Sequence, residues 1–420
     1  MQVINSKTHF IPQGHKPSDV PQSSESLYSI LQQEVDLGAQ ALKRGNADMA
    51  VTLFQSALQK LTVEQPFYDH LVHNLLISYK LLIEQLLKQG ESATALDFLR
   101  AALQLEISGE MAADATFVKM FGAQFQALGI VCFQNQLYEA SLLCCRKAIS
   151  IYPTPGSSVN LTNSLAASGQ PAILSDFTTE LTPEQLGQHL FIVCVPKSAS
   201  TFLKNLLLSV TGYRDLFSVY AGGQSEHELY LPTIREFAHI DTVTQQHCRA
   251  SDANVHLMQA FGIRPVVLVR NIFDSVMSLL DFYNHGASQT SYFRADWPAL
   301  DDETKTDLLI ENVIPWYFQF VASWDSVEKQ KRLELHWLTY EDLIADKPTT
   351  VLKVLEFYGL GASRQGVEQR IREIESEERK NRFNKGVTGR GSSGLSDRQK
   401  EQIRRLTRYY PSTDFGRIGL

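Results

Sequence analysis

The feature that most constrains the fold is an apolar run that passes directly into a short polar loop and a helical pattern, over residues 191–203. Ile192, Val193 and Val195 are β-branched and lie in the apolar run, which predicts a strand buried on both faces, as in a parallel sheet. Pro196 has no N–H to give to a ladder, so it ends that strand. Apolar residues then recur on one side of the predicted helix, namely Phe202, Leu203, Leu206, Leu207 and Val210.

The loop between this strand and helix has the properties of an anion site. Ser198, Ser200 and Thr201 can cap the helix, and Lys197 stands beside the free backbone N–H groups at its beginning. A Walker A loop is excluded, because it requires two glycines with lysine after the second, whereas residues 196–202 contain no glycine. A nucleotide kinase with such a loop is therefore the weaker alternative.

The loop resembles the 5′-phosphosulfate loop of the sulfotransferase family, Pro-Lys-Ser-Gly-Thr-Thr-Trp. In this chain Ala199 replaces the glycine, Ser200 replaces a threonine and Phe202 replaces the tryptophan. The resemblance implies that the loop binds the sulfate end of 3′-phosphoadenosine 5′-phosphosulfate and that the ring of Phe202 faces its adenine. The donor-binding residues that it implies here are Lys197, Ser198, Ala199, Ser200, Thr201 and Phe202.

A second strand–loop–helix pattern covers residues 265–278. Its Arg270, Asn271, Asp274 and Ser278 match the family's 3′-phosphate motif, Arg-Asn-Pro-x-Asp-x-x-x-Ser, with Ile272 in place of the proline. The resemblance implies that Arg270 and Ser278 hold the 3′-phosphate. Arginine suits this role because its fork binds two phosphate oxygens and keeps its charge. The alternative is a strand-end arginine paired with Asp274.

Two weaker matches extend the nucleotide site. Residues 383–389 resemble the family's loop over the nucleotide, with Lys385 and Gly386 retained and Asn384 in place of an arginine that Arg382 or Arg390 could replace. That loop lies in a basic run, residues 379–408, with ten Lys or Arg against two acidic residues, which we interpret as a funnel for a polyanionic nucleotide. Tyr340 is expected to touch the base, or else to cap a strand at the sheet edge.

The family's general base is commonly a histidine before the 3′-phosphate arginine. His247 lies twenty-three residues before Arg270, and an imidazole suits removal of the acceptor proton. His256, in a predicted helix, is the alternative. The resemblance implies in-line displacement with catalytic roles for His247 and Lys197, without a metal. Acceptor-lining residues are expected within 216–235 and 283–316, where aromatic side chains suit a carbohydrate, a phenol or a peptide.

The N-terminal part predicts an all-α domain, because Leu and Ala recur at helical spacing with few Pro or Gly. A pattern occurs there three times, 45 and 46 residues apart, and resembles the second half of a tetratricopeptide repeat. That family's period is about 34 residues, so a helical bundle with a similar pattern is the alternative. The copies are Gly45, Ala50, Phe54 and Ala57; Gly90, Ala95, Leu99 and Ala102; and Gln136, Ser141, Cys145 and Ala148.

Length and composition set the wider organisation. We expect a flexible segment at 1–23, a tetratricopeptide-like domain at 24–165, a connector at 166–188 and a sulfotransferase domain at 189–420. The net charge of −7 argues against a nucleic-acid partner. No signal peptide or apolar run long enough for a membrane span is recognised. The five cysteines show no metal-binding spacing and suit the reducing cytoplasm.

These observations predict an α/β protein with a parallel sheet flanked by helices, as in P-loop kinases and sulfotransferases, preceded by a helical repeat domain. The expected activity is transfer of a sulfuryl group from 3′-phosphoadenosine 5′-phosphosulfate to a hydroxyl or amine. The helical domain is expected to bind a protein partner or to self-associate. The main alternative is a scaffold that binds nucleotide with little catalysis, since Ala199 and Asn384 depart from the family pattern.

Overall fold

A computed structural model describes residues 22–63, 65, 67–219, 227–284, 297–376 and 388–420. The chain divides into two compact units, Met1–Pro171 and Ala172–Leu420. We call them the helical unit and the sheet unit.

The helical unit is built of successive helices that pack against their neighbours along the chain. Its buried residues form one core of mainly Leu, Ala, Val and Phe, as expected when amphipathic helices bury their apolar faces together. The helices are α1 (Gln22–Lys43), α2 (Ala47–Leu58), α3 (Tyr68–Lys88), α4 (Ser92–Leu103), α5 (Ala115–Gln134), α6 (Tyr138–Ile151) and α7 (Pro155–Ser168).

Three turns in this unit have the same geometry. Gly45, Gly90 and Gln136 have positive φ angles of 77°, 81° and 61°, and each ends a helix with a pair of hydrogen bonds characteristic of a Schellman motif. The small and large residues predicted after each turn are all buried. The internal repeat is therefore a repeated helix–turn–helix, formed by α1 with α2, α3 with α4, and α5 with α6.

Among the helices described, α5 alone is long and apolar enough to span a bilayer, a helix that the sequence prediction did not single out. Its buried residues include Phe121, Phe125 and Leu128, which belong to the core of the helical unit. Its apolar composition thus serves packing within this unit.

The described part of the sheet unit contains five parallel strands in the order β2-β3-β1-β4-β5. All six residues of β1 are buried, because strands lie on both sides and helices cover the sheet. The predicted parallel sheet is confirmed. The strands are β1 (His189–Cys194), β2 (Arg214–Leu216), β3 (Thr242–Gln246), β4 (Arg264–Val269) and β5 (His336–Thr339).

Helices of the sheet unit follow most of the strands. The apolar side of the first of them, with Phe202 and Leu206, packs on Leu190, Ile192 and Leu268 of the central strands. The helices are α8 (Ser200–Thr211), α9 (Leu231–Phe237), α10 (Asp252–Ala260), α11 (Ile272–Asn284), α12 (Asp302–Asn312), α13 (Ile314–Lys329), α14 (Tyr340–Ala345), α15 (Lys347–Phe357), α16 (Arg364–Ser376), α17 (Arg390–Gly394) and α18 (Asp397–Arg405).

The strand order fixes where a ligand can bind. From β1 the chain moves toward β2 on one side of the sheet, and from β4 it moves toward β5 on the other side. Connections that leave neighbouring strands in opposite directions open a crevice at their carboxyl ends. In this unit the crevice lies between β1 and β4, where both predicted binding loops begin.

Candidate functional site

The loop after β1 is shaped by backbone conformation. Lys197 and Ala199 both have positive φ angles, 65° and 66°, in the left-handed region that favours glycine. Ala199 is the N-cap of α8, and no side chain caps this helix. Ser198 does not cap it, contrary to the prediction, because its hydroxyl donates to the Val195 carbonyl at 2.7 Å. No side-chain cap therefore competes with an anion for the first amides of α8.

Phe202 does not have the role predicted for it. Its side chain is 1% exposed and belongs to the core between α8 and the sheet. The ring therefore anchors α8 and presents no open face to an adenine. The sequence could not distinguish these roles, because an aromatic residue in the first turn of a helix satisfies both.

The loop after β4 is held by Asn271. Its side-chain oxygen accepts hydrogen bonds from the N–H groups of Phe273 and Asp274 at 3.0 and 3.2 Å, which caps α11. Its own N–H donates to a carboxylate oxygen of Glu341 at 3.2 Å. Burial raises the pKa of Glu341. Ser278 is buried one turn along α11 from Asp274.

Arg270 brings the two loops together. Its Nη1 donates to the backbone carbonyl of Lys197 at 2.9 Å, and its guanidinium lies 4.0 Å from the ring centroid of Tyr340. Tyr340 is buried, so in this structure it supports the guanidinium, whereas the sequence predicted contact with a base. The ammonium of Lys197 lies 4.3 Å from the ring centroid of Phe282 in α11. Two cations thus stand at the crevice between β1 and β4.

Asp274 binds residues 389–394, which we call the C-terminal segment, to α11. Its buried carboxylate accepts from the N–H groups of Gly389 and Gly391, at 2.7 Å each. In the described residues this carboxylate is bound by the two amides, whereas Arg270 donates to the Lys197 carbonyl. Lys385 and Gly386 of the predicted nucleotide loop lie outside the described residues.

The described basic residues after Gly389 carry less free charge than the sequence count indicates. Arg390 forms an ion pair with Asp281 of α11 at 2.6 Å, so its charge is paired within the protein. Other cations of this run also lie in ion pairs, namely Arg398 with Asp307, Lys400 with Asp397, and Arg405 with Glu401. The predicted electrostatic funnel is correspondingly weaker.

His247 follows β3 and lies beside the end of β1. Its Nδ1 is 2.9 Å from the Cys194 carbonyl oxygen and 3.3 Å from the Cys194 sulfur. A carbonyl oxygen only accepts, so Nδ1 donates and Nε2 carries the lone pair. Burial lowers the pKa of His247, but the thiol and carbonyl of Cys194 outweigh burial and raise it above its usual value. His247 is half-buried, and its ring can accept a proton through Nε2.

His256 has a different setting. It is buried in α10, and its Nδ1 donates to the Asp252 carbonyl of the same helix at 2.7 Å. Burial lowers its pKa. It therefore lies within a helix, whereas His247 stands at the carboxyl edge of the sheet.

Two residues at the site were not found from the sequence. The hydroxyl of Tyr317 donates to the Pro196 carbonyl at 2.9 Å and supports the first loop. His227 accepts a hydrogen bond from the backbone of His247 at 3.0 Å. Neither has a spacing that connects it with a motif. His227 falls in the aromatic region 216–235, whereas Tyr317 lies one residue beyond the predicted region 283–316. Of the expected acceptor-lining regions, 220–226 and 285–296 lie outside the described residues.

Comparison with known proteins gives a family match and similar solved structures. The sulfotransferase domain family matches residues 187–405, more than half of the chain. A mouse sulfotransferase complexed with PAP is 18% identical, with a TM-score of 0.42 over 55% of this chain and 87% of that one. Retinol dehydratase in a complex with retinol and PAP is 12% identical, with a TM-score of 0.37 over 54% and 82%. Comparison with curated sequences gave no match.

Proposed function

The chain belongs to the sulfotransferase domain family, and from this we propose that it transfers a sulfuryl group from 3′-phosphoadenosine 5′-phosphosulfate to a hydroxyl or amine of an acceptor. The observation that carries the proposal is the hydrogen bond from the Arg270 guanidinium to the Lys197 carbonyl, 2.9 Å long. This hydrogen bond brings Arg270, in the loop after β4, next to the loop after β1. A nucleoside that carries phosphates on both its 3′ and 5′ oxygens needs two such loops close together.

The chemistry of the crevice residues fits such a donor. The first amides of α8 and the Lys197 ammonium suit the sulfate end, and Arg270 with Ser278 suits the 3′-phosphate. Among the described residues, no group of three or more His, Cys, Asp or Glu is close enough to hold a metal ion. In this proposal lysine, arginine and backbone amides stabilise the charge that develops in the transition state.

The donor supplies a sulfuryl group whose bond to the 5′-phosphate oxygen breaks as a bond to the acceptor oxygen forms. His247 takes the acceptor proton on Nε2 while Nδ1 keeps its hydrogen bond to the Cys194 carbonyl. Lys197 stabilises negative charge at the sulfate and the leaving phosphate. The site residues thus act by positioning, charge stabilisation and one proton transfer.

The acceptor and the helical unit complete the proposal. The acceptor classes that fit are a carbohydrate, a phenol and a peptide. We propose further that the three helix–turn–helix copies are tetratricopeptide-like and bind the acceptor protein or a second copy of the chain, and that the protein works in the cytoplasm. The support for the repeat assignment is the identical turn geometry at Gly45, Gly90 and Gln136.

The test combines nucleotide binding with transfer of labelled sulfate. Adenosine 3′,5′-bisphosphate (PAP) should bind in preference to ATP with Mg²⁺, and labelled sulfate should reach at least one acceptor from a panel of p-nitrophenol, glucose and a tyrosine peptide. His247→Ala should bind PAP normally and lose about 10²- to 10⁴-fold in kcat. His256→Ala, the matched control, should retain activity.

Each alternative function predicts a different result. Binding of PAP without transfer to any acceptor would favour the scaffold, and preference for ATP with Mg²⁺ would favour the kinase. Full activity of His247→Ala would assign the base to another residue.

A further inference from the structure

His227 and His247 hold each other's backbone at the carboxyl edge of the sheet. The N–H of His227 donates to the carbonyl oxygen of His247 at 2.8 Å, and the N–H of His247 donates to Nδ1 of His227 at 3.0 Å. The ring centroids lie 5.4 Å apart. Two hydrogen bonds between the same two residues fix both the distance and the orientation of the His247 backbone.

These bonds also fix the proton positions on both rings. Nδ1 of His227 accepts, so the neutral ring carries its proton on Nε2. Nδ1 of His247 donates to the Cys194 carbonyl, so its Nε2 carries the lone pair. His247 is thus held through its backbone by His227 and through its ring by Cys194, with Nε2 as the basic atom.

The neighbouring residues continue this attachment. The N–H of Leu229 donates to the side-chain oxygen of Asn254 at 3.0 Å, and the Asn254 amide donates to the Arg249 carbonyl at 2.9 Å. The hydroxyl of Ser251 donates to Glu228 at 3.2 Å. Residues 227–229 are therefore fastened along residues 247–254, and His227 lies at the His247 end of this contact.

We propose that His227 is a positioning residue for His247: its Nδ1 holds the backbone N–H of the base and thereby aims Nε2 at the acceptor. The proposal rests on the proposed function, in which His247 takes the acceptor proton. Its effect should fall on the chemical step, because a misplacement of about 1 Å at a reacting group can cost about 10²-fold in rate.

Three variants distinguish the effect of the hydrogen-bond acceptor atom Nδ1 from that of the aromatic ring of His227. His227→Asn retains an acceptor close to the position of Nδ1. His227→Gln keeps a polar side chain of similar length, but its amide lies farther from the backbone than Nδ1 does. His227→Phe keeps a ring that has no hydrogen-bond acceptor. His239→Phe changes an exposed histidine of the same unit and serves as the control.

With p-nitrophenol, glucose or the tyrosine peptide as the probe acceptor, His227→Phe and His227→Gln should lose about 10²-fold in kcat, with the donor KM changed less than about twofold. His227→Asn should retain activity within about tenfold of the wild type. PAP affinity should be unchanged in all three, since the proposed role of His227 is to hold the backbone of His247. The glutamine variant decides the question if the phenylalanine variant does not fold.

Amide hydrogen exchange supplies a readout that needs no turnover. The His247 amide should exchange faster in His227→Gln than in the wild type and in His227→Asn. Unchanged exchange and unchanged kcat in His227→Gln, or equal losses in the asparagine and glutamine variants, would overturn the proposal. If the wild type transfers sulfate to no acceptor, the proposed function fails, whereas the exchange result still decides whether His227 positions His247.

Discussion

Ala199 shows that the first binding loop stores strain in single residues. A side chain at a φ angle of 66° costs about 1–2 kcal/mol relative to glycine, because its Cβ crowds the following carbonyl oxygen. Lys197 adopts the same region two residues earlier. Strain of this kind persists where the surrounding structure over-determines the loop, here through the Ser198, Tyr317 and Arg270 hydrogen bonds.

Ala199→Gly should therefore stabilise the sheet unit. We expect the free energy of unfolding to rise by about 0.5–1 kcal/mol, because relief of the strained φ exceeds the extra entropy of glycine in the unfolded chain. Ala322→Gly, within α13, should instead lower it by about 1 kcal/mol. Urea unfolding measures both values, and a loss in Ala199→Gly equal to that in the control would contradict the account.

The pH dependence of turnover should report the Cys194–His247 contact. His247 must be neutral to accept a proton, and its pKa is raised above 6.5. The kcat should therefore fall as pH decreases through a value above 6.5. Cys194→Ala should move this fall to lower pH, whereas Cys248→Ala should leave it in place. An acid limb below pH 6.5 in the wild type would show that His247 is not the titrating base.

His73 should make the helical unit sensitive to acid. His73 is 1% exposed, and its ring has no hydrogen-bond partner among the residues that the structure describes and packs near Phe117 and Phe121. Burial, together with His70, lowers its pKa to about 4. The unfolded chain binds the proton more readily than the folded chain. The contribution of neutral His73 to the free energy of unfolding is therefore present above pH 6.5 and is lost as the pH falls toward 4.

The size of this effect can be measured with His73→Phe. A pKa difference between about 6.5 and about 4 corresponds to roughly 3 kcal/mol. Denaturant unfolding between pH 7 and pH 4 should show a smaller loss of stability in His73→Phe than in the wild type. Parallel stability curves for the two proteins would mean that His73 protonates equally well in both states.

Helix α11 connects the crevice with the C-terminal segment. Its cap is Asn271, and its Asp274 binds the amides of the segment that ends in α17. Gly391 approaches α11 so closely that a Cβ there would lie 2.4 Å from the backbone carbon of Phe273. At Gly394 the three atoms nearest to a Cβ would all belong to the flexible side chain of Met277.

Gly391→Ala should accordingly release the segment, while Gly394→Ala should leave it bound. We expect a loss of about 1–3 kcal/mol in stability for Gly391→Ala, because backbone cannot move aside as a methionine can. Weaker PAP binding should accompany it. Calorimetry of both variants provides the measurement, and equal effects at the two glycines would refute a specific contact at Gly391.

The elements near the site were largely predictable, and the contacts between them were not. Strands β1 and β4 followed from β-branched runs, and the internal repeat followed from the spacing of Gly45 and Gly90 with the small residues after them, since both signals are local in the chain. The burial of Phe202 and the stacking of Tyr340 on Arg270 depend on residues far apart in sequence. The two hydrogen bonds between His227 and His247 join residues that are twenty positions apart, and they leave no periodic signal in the sequence.

Among the described residues, the helical unit and the sheet unit each contain a hydrophobic core. We expect two unfolding transitions in calorimetry. PAP at one hundred times its Kd should add about 2.7 kcal/mol to the sheet unit and raise only one transition. Phe54→Ala, which empties a buried site in the helical unit, should lower the other by about 3–5 kcal/mol. A single transition that responds to both changes would indicate cooperative unfolding of the units.

The two hydrogen bonds that the N–H groups of Gly389 and Gly391 donate to the Asp274 carboxylate have a thermodynamic corollary. The same helix receives the C-terminal segment on one carboxylate and, in the proposed function, the nucleotide's 3′-phosphate beside its beginning. Any protein that captured residues 389–391 in place of Asp274 would reduce nucleotide affinity, and nucleotide would reduce the affinity for that protein by the same factor. Competition between Asp274 and such a protein for the amides of residues 389–391 would thus set how much of the enzyme holds the sulfuryl donor.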